Sequence, residues 1–268
     1  MTVPSRSRGD LACFAAGLTL LAVASVAIAG DARIESDADA ANQGGEHVVL
    51  VHGLGRTKRA MAPLAERLAE AGFVAHNLGY DSREKAPDAL LEDLGDRIDA
   101  CCADAETLHF VGHSLGGILI RAFLAERRPG NLGRVVLLSP PNRGSQIVDR
   151  MGGSWLFGSV MGPSAETLGT DADSFPNSLP PPYYEIGIIA ATESINPLGS
   201  IMIPGDDDGM VAVCNMRLEG MTEFVTVDHN HALVMRSKEV ARMTVRFLQE
   251  GRFGVDPDAQ DFDPETCE

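Results

Sequence analysis

The sequence is poor in the residues that several functions require. Aromatic residues make up 5% of its 268 positions, with a single Trp and three Tyr. That is too few for a platform on which bases or sugars stack. Lys and Arg number 22 against 38 Asp and Glu, a net charge of −16. A surface that tracks nucleic-acid phosphates needs clustered Lys and Arg, so no nucleic-acid partner is expected. Neither G-x-x-x-x-G-K-[ST] nor G-x-G-x-x-G is present, and nucleotide phosphates have no recognisable cradle. Of the five cysteines, Cys101 and Cys102 are adjacent and no C-x-x-C pair accompanies them, so no metal-ligand spacing is evident. There is no internal repeat. What is present is 44% hydrophobic residues, enough for one domain of roughly 200–250 residues with a substantial core.

Residues 1–29 stand apart from that domain. Arg6 and Arg8 precede the uncharged stretch Leu11 to Ala29, which ends in Ala27-Ile28-Ala29. A basic start, an apolar middle and a small-x-small end describe a secretory signal peptide. An uncleaved membrane anchor is the alternative, because a stretch of this length can just span a bilayer. Either reading places the remainder outside the cytoplasm, periplasmic or secreted. Cleavage after Ala29 removes Cys13 and leaves Cys101, Cys102, Cys214 and Cys267, an even set that permits disulfides in any of three connectivities. Vicinal cysteines on a helix point in different directions, so only one of Cys101 and Cys102 is expected to join a given neighbour. Residues 30–45 read as a linker and 254–268 as a loose acidic tail.

Between them, short apolar runs alternate with amphipathic stretches, the pattern of an α/β protein. Strands are expected at Val48–Val51, Phe73–Asn77, Leu108–Val111, Val135–Leu138, Tyr184–Ala190 and Phe224–Val227. Helices are expected at Ala60–Ala71, Pro87–Cys101, Leu115–Glu126 and Lys238–Gln249. From Pro140 to Pro182 the alternation stops in a stretch rich in Pro, Ser and Gly that holds Trp155. Residues 142–182 there form a candidate lid or cap, with Met151, Trp155, Leu156, Phe157, Val160 and Met161 among glycines. It is either a mobile lid that binds lipid chains or an ordinary cap packed on the core.

The chemistry is concentrated in three places. Gly112-His113-Ser114-Leu115-Gly116-Gly117 lies directly after an apolar strand and before an apolar helix. A serine in such a sharp turn exposes its Oγ beside the N–H of the next residue, and flanking glycines relieve the crowding. The pentapeptide alone arises by chance in roughly one such chain in six; its strand–turn–helix setting is far rarer. Val48-Val49-Leu50-Val51-His52-Gly53-Leu54-Gly55 is a buried strand running into His-Gly. The N–H of Leu54 and that of Leu115 could there form an oxyanion hole. His52 and His113 read as structural histidines, and His47, His76 and His109 as scaffold residues.

A serine nucleophile needs an acid and a base, and the order Ser…Asp…His puts both downstream. Pro204-Gly205-Asp206-Asp207-Asp208-Gly209-Met210-Val211 supplies the carboxylates, Asp208 first by position and Asp206 next. A calcium loop is disfavoured because the spacing is wrong. Asp228-His229-Asn230-His231 follows an apolar strand, and His231, leading into the final helical region, is the better base, with His229 the alternative.

With these pieces in this order, roughly residues 46–253 resemble the α/β-hydrolase superfamily, in particular its bacterial lipase/esterase-like members. Leu138-Ser-Pro-Pro-Asn-Arg-Gly-Ser145 looks like the loop that opens the lid region in those enzymes. The resemblance implies a mostly parallel central sheet flanked by helices, a small lid or cap insertion, and no cofactor. It implies a serine hydrolase acting on a small-molecule or lipid ester through Ser114, His231 and Asp208, with any membrane association through the N-terminal segment or the lid. A thioesterase, acyltransferase, peptidase or amidase could use the same triad, and a non-catalytic binding protein could use the same fold.

Overall fold

The structure, a computed structural model, describes residues 45–255. The expected leader, most of the linker and nearly all of the acidic tail lie outside these residues, as do Cys13 and Cys267. Six strands form one sheet: β1 (Glu46–Val51), β2 (Val74–Leu78), β3 (Thr107–His113), β4 (Leu132–Leu138), β5 (Ile186–Glu193) and β6 (Glu223–Asn230). Their order is β2-β1-β3-β4-β5-β6, and every pairing is parallel. The expected mostly parallel sheet is therefore wholly parallel.

A parallel sheet needs helical crossovers on both faces, so its strands are apolar on both sides. Val49, Val51, Phe110, Val135, Leu137 and Ile188 belong to one core. They pack against α2 (Pro87–Cys102) and α3 (Leu115–Arg127) through Leu90, Leu94, Ile98, Ile118, Leu119 and Phe123. Val48, Leu50, Val111, Val136, Leu138 and Ile189 face the other core. There they meet Leu64 and Leu68 of α1 (Ala62–Glu70) and Val240, Phe247 and Leu248 of the C-terminal helix Lys238–Glu250. Each such side chain, fully buried, contributes about 1.5–3 kcal/mol relative to exposure. Pro87 opens α2 in its first turn, where a missing N–H costs nothing. Gly251, left-handed at φ 75°, closes the last helix.

Strand order reverses between β1 and β3, so the chain ends of these two neighbours diverge and leave a crevice beyond their C-termini. Ser114 and Leu54 lie there. The segment 142–182, expected to be irregular, contains four short helices instead: α4 (Gln146–Met151), α5 (Trp155–Met161), α6 (Pro163–Glu166) and α7 (Phe175–Ser178). None exceeds two turns, because Gly152, Gly153, Gly162 and Pro163 interrupt the helical run. Two further short helices, α8 (Pro197–Ser200) and α9 (Val213–Met216), lie in the long β5–β6 connection, and Lys238–Glu250 is therefore α10. Cys101 and Cys102 are disulfide-bonded to each other, contrary to the expectation from helix geometry. That expectation holds for a helix interior, whereas Cys102 is the last residue of α2. Among the described residues no helix is long and apolar enough to cross a membrane.

Candidate active site

Ser114 sits between β3 and α3 with φ 53° and ψ −125°. A side chain in this sparsely populated region is strained, by on the order of 1–3 kcal/mol, and persists only where its surroundings enforce it. Here the Ser114 N–H donates to Leu138 O at 3.0 Å, and its own carbonyl accepts from Gly117 at 2.9 Å. The turn is pressed so tightly onto β1 that a Cβ at Gly116 would collide with the carbonyl oxygens of Val51 and His52. Gly116 is thus required by packing, as the spacing of the motif predicts.

The β5–β6 connection and the end of β6 bring the other two groups to this turn. His231 Nε2 lies 3.0 Å from Ser114 Oγ, and His231 Nδ1 lies 2.6 Å from Asp208 Oδ2. A carboxylate accepts, so Nδ1 carries the proton and the Nε2 lone pair faces the serine hydroxyl. Asp208 is buried and its Oδ1 accepts from Met210 and Val211 N–H at 3.0 and 2.9 Å. The Asp208 carbonyl also accepts from the His231 N–H at 3.1 Å, so Asp208 and His231 are tied through backbone as well as side chain.

The alternatives named from sequence are placed elsewhere. Asp206 is exposed. Asp207 braces its own loop, accepting from the Gly209 N–H at 2.6 Å and the Ser200 hydroxyl at 2.7 Å. His229 lies within β6 and makes no contact with Ser114 or Asp208. The five histidines read as structural or scaffold residues sit in or beside strands. His52 Nδ1 donates to Gly53 O at 3.0 Å and its ring stacks on Tyr80, whose hydroxyl donates to the His52 carbonyl. Burial lowers its pKa, keeping the ring neutral.

His113 has a part that sequence did not disclose. Its Nε2–H donates to the carbonyl of His231 at 2.9 Å. Burial, and then the neighbouring His231, hold its pKa well below the ordinary value. A neutral ring with Nε2 protonated leaves Nδ1 as a bare acceptor, and this atom is buried without a partner. Arg121 of α3 is likewise buried, donating to the Asn142 carbonyl and Oδ1 at 3.3 and 3.1 Å. Desolvation lowers its pKa to about 10, so it stays charged at neutral pH while tying the helix behind Ser114 to the start of the cap.

Ser114 and His231 open on a cavity of about 390 Å³. Leu54 and Met210 line it from the core loops, Ile147, Val148, Met161, Ala165 and Leu168 from the 142–182 segment, and Ile195 from the loop after β5. Sequence did not single out Ser145, which caps α4 and donates its hydroxyl to Met210 O at 2.7 Å, linking the 142–182 segment to the Asp208 loop. It also passed over Ile195, Asn196 and Arg56 on the cavity wall. The only sequence signal was for Arg56, a basic residue immediately after Leu54-Gly55.

One group of ligand-type residues among those described, His47, His76 and Cys102, has its atoms within 4.8 Å of one another. His47 and His76 lie on β1 and β2, before the strand ends that lead to the Ser114 crevice, and Cys102 is engaged in the disulfide.

The same arrangement of elements occurs in known proteins. The mature form of the Bacillus licheniformis lipase BlEst2 matches with a TM-score of 0.55 at 19% identity, over 70% of this chain and 86% of that one. Phospholipase PlaB from Legionella pneumophila matches with a TM-score of 0.58 at 14% identity, over 74% of this chain and 56% of its own. This chain therefore spans about half of that phospholipase. The metagenomic carboxyl esterase MGS0156 matches with a TM-score of 0.52 at 15% identity, over 70% of this chain and 64% of that one. At these identities the likeness speaks for the fold alone. No curated protein matches the sequence. The model of the Alpha/beta hydrolase family, however, matches residues 48–242, from the first strand into the last helix. That span includes Leu54, Ser114, Asp208 and His231, and the chain belongs to the alpha/beta hydrolase family.

Proposed function

We propose that the protein is a serine hydrolase of carboxylic esters, with Ser114 as nucleophile, His231 as base and Asp208 as its orienting acid. The observation that carries this reading is the unbroken chain Ser114 Oγ–His231–Asp208, at 3.0 and 2.6 Å, opening on a mostly apolar cavity. Ser114 Oγ attacks the ester carbonyl while His231 Nε2 takes its proton. Asp208 holds the Nδ1–H tautomer and stabilises the imidazolium that forms. The N–H groups of Leu54 and Leu115 are the donors this reading assigns to the developing oxyanion. Each such donor is worth on the order of 10²–10³ in rate. His231 then protonates the leaving alcohol, and water, activated by the same imidazole, releases the acid from the acyl-enzyme.

The cap residues around Ile147, Met161 and Leu168 suit an aliphatic acyl chain, and lipase, phospholipase and carboxyl esterase neighbours are consistent with that choice. Thioester or amide substrates would use the same groups, the leaving group being selected by the pocket. No cofactor is invoked, and the expected export of the chain suits an extracytoplasmic ester.

A fluorophosphonate probe tests the nucleophile: it should label the wild type and not Ser114→Ala. Failure to label folded protein would favour a non-catalytic binding role on the same fold. A panel of p-nitrophenyl esters of increasing chain length identifies the acyl preference. A rate that rises sharply when the ester aggregates would assign residues 142–182 as a mobile lid. Equal rates on monomeric and aggregated ester would make them a fixed cap.

A further inference from the structure

Beside the catalytic cavity lies a second recess, of about 310 Å³, whose only charged walls are Arg56, Arg59 and Arg236. Thr57 adds a hydroxyl and Met235 part of the apolar lining. Arg56 and Ala232 line both this recess and the catalytic cavity, so the two adjoin. In a chain of net charge −16 this is an unusual concentration of positive charge. Elsewhere Arg97, Arg127, Arg134, Arg246 and Arg252 each lie within ion-pair distance of a carboxylate. Among the described residues Arg56, Arg59 and Arg236 have no such partner; Arg67, Arg121, Arg150 and Arg242 have none either, but Arg56, Arg59 and Arg236 line one recess together. A further cation, Arg67, donates to the Arg236 carbonyl at 3.3 Å and adds to the positive field.

The position of the recess says which part of a substrate would enter it. Ala232 follows His231, and Arg236 lies in the next turn of chain. His231 must hand its proton to the leaving alcohol, so the alcohol departs on the side where this recess opens. The apolar remainder of the cavity, walled by the cap, is left for the acyl chain. Three arginines from two segments of the chain line this one recess, and guanidinium groups suit a tetrahedral oxyanion, which offers several acceptor oxygens at once.

We propose that Arg56, Arg59 and Arg236 form an anion subsite that selects esters whose alcohol carries a phosphate- or sulfate-type group. This inference rests on the serine-hydrolase reading and adds the charge of the leaving group to it. A cation cluster of this kind raises the rate of encounter and the affinity for an anionic substrate, and both effects weaken with salt.

The test compares hexanoate esters of 4-hydroxybenzenesulfonate, 4-hydroxyphenyl phosphate and the neutral 4-hydroxy-N,N-dimethylbenzenesulfonamide, each rate being divided by that of the ester's hydroxide-catalysed hydrolysis to remove differences in leaving-group acidity. The wild type should favour at least one anionic ester over the neutral one by about tenfold or more in kcat/KM. The advantage should sit mainly in KM and fall as sodium chloride is raised. Arg59→Gln combined with Arg236→Gln, both on exposed side chains outside the catalytic triad, should bring the ratio close to one. The same variant should leave the neutral ester unchanged, which also shows that it has folded. Preference for both anions supports a general tetrahedral-oxyanion site, and preference for the phosphate alone a phosphate site. A wild-type ratio near one, or a ratio the double variant does not alter, overturns the proposal. If no ester is cleaved and Ser114 takes no fluorophosphonate, the hydrolase reading has failed instead. Calorimetric binding of 4-hydroxyphenyl phosphate to the folded protein, with and without the arginine pair, then decides the anion subsite alone.

Discussion

His113 donates its Nε2–H to the backbone carbonyl of His231 at 2.9 Å, so the residue before Ser114 fixes the loop that carries His231. A change in this bond should therefore act on the relation between Ser114 and His231 without touching substrate.

His113→Ala should lower kcat by about tenfold or more while KM for a small ester changes little, since misplacement by a fraction of an ångström is costly at the reacting atoms. The His231 carbonyl also loses a buried donor, at roughly 1–3 kcal/mol of stability. Steady-state kinetics alongside urea denaturation separate the two effects. Wild-type fluorophosphonate labelling rates in His113→Ala would refute the positioning role.

Asp208→Asn removes the acceptor that sets the His231 tautomer, and kcat should fall by on the order of 10³–10⁴. Asp206→Asn should be close to wild type, because Asp206 is exposed. Asp207→Asn should give a small loss through its bonds to Gly209 and Ser200. Comparable losses from Asp206→Asn and Asp208→Asn in an ester assay would reassign the acid.

Neighbouring glycines in the nucleophile turn should respond in opposite ways. Gly116→Ala drives a Cβ into the Val51 and His52 carbonyls, and no flexible group can yield. Its urea midpoint should drop by the equivalent of several kcal/mol, or the protein should fail to fold. At Gly117 the nearest heavy atom to a Cβ is a Leu137 methyl at 3.3 Å, and the position is helical. Gly117→Ala should stay within about 1 kcal/mol of wild type, helix propensity offsetting the mild crowding.

Acid should destabilise the fold through His109 before carboxylates are protonated. Burial, then the nearby Arg134 charge, depress its pKa from 6.5 to about 4. Between these values the unfolded chain binds the proton and the folded protein does not. The contribution is therefore present in full above pH 6.5 and lost as pH falls toward 4. His109→Asn keeps an acceptor for the Arg134 N–H, which His109 Nδ1 accepts at 2.9 Å. Its loss of stability between pH 7 and pH 5 should be smaller than that of wild type by about 2 kcal/mol. Parallel urea titrations at the two pH values check this.

Much of the fold was readable because it is written in local signals. Continuous apolar runs such as Val48–Val51 and Val135–Leu138 can be satisfied only by strands covered on both faces. Helical spacing in Leu90, Leu91, Leu94 and Ile98 likewise requires a buried helix face. The Gly-His-Ser-Leu-Gly-Gly turn needed no partner to be recognised, since its demands are steric and lie within one segment and the strand beside it. The cap was less clear: its short helices depend on what they pack against, and Gly and Pro masked their periodicity.

Ser114, Asp208 and His231 could each be named from sequence, but the selection among Asp206, Asp207 and Asp208 could not be settled there. Three adjacent carboxylates have the same chemistry, and only the path of the loop decides which is buried with two N–H donors and an imidazole around it. The His113–His231 bond and the convergence of Arg56, Arg59 and Arg236 join segments about 120 and 180 residues apart, and no local pattern records them. Sequence specified the strands, the helices and the strained serine turn through patterning and sterics. The folded chain specified the partners of each polar group, because hydrogen bonds and charge act across space between residues that composition and spacing treat as unrelated.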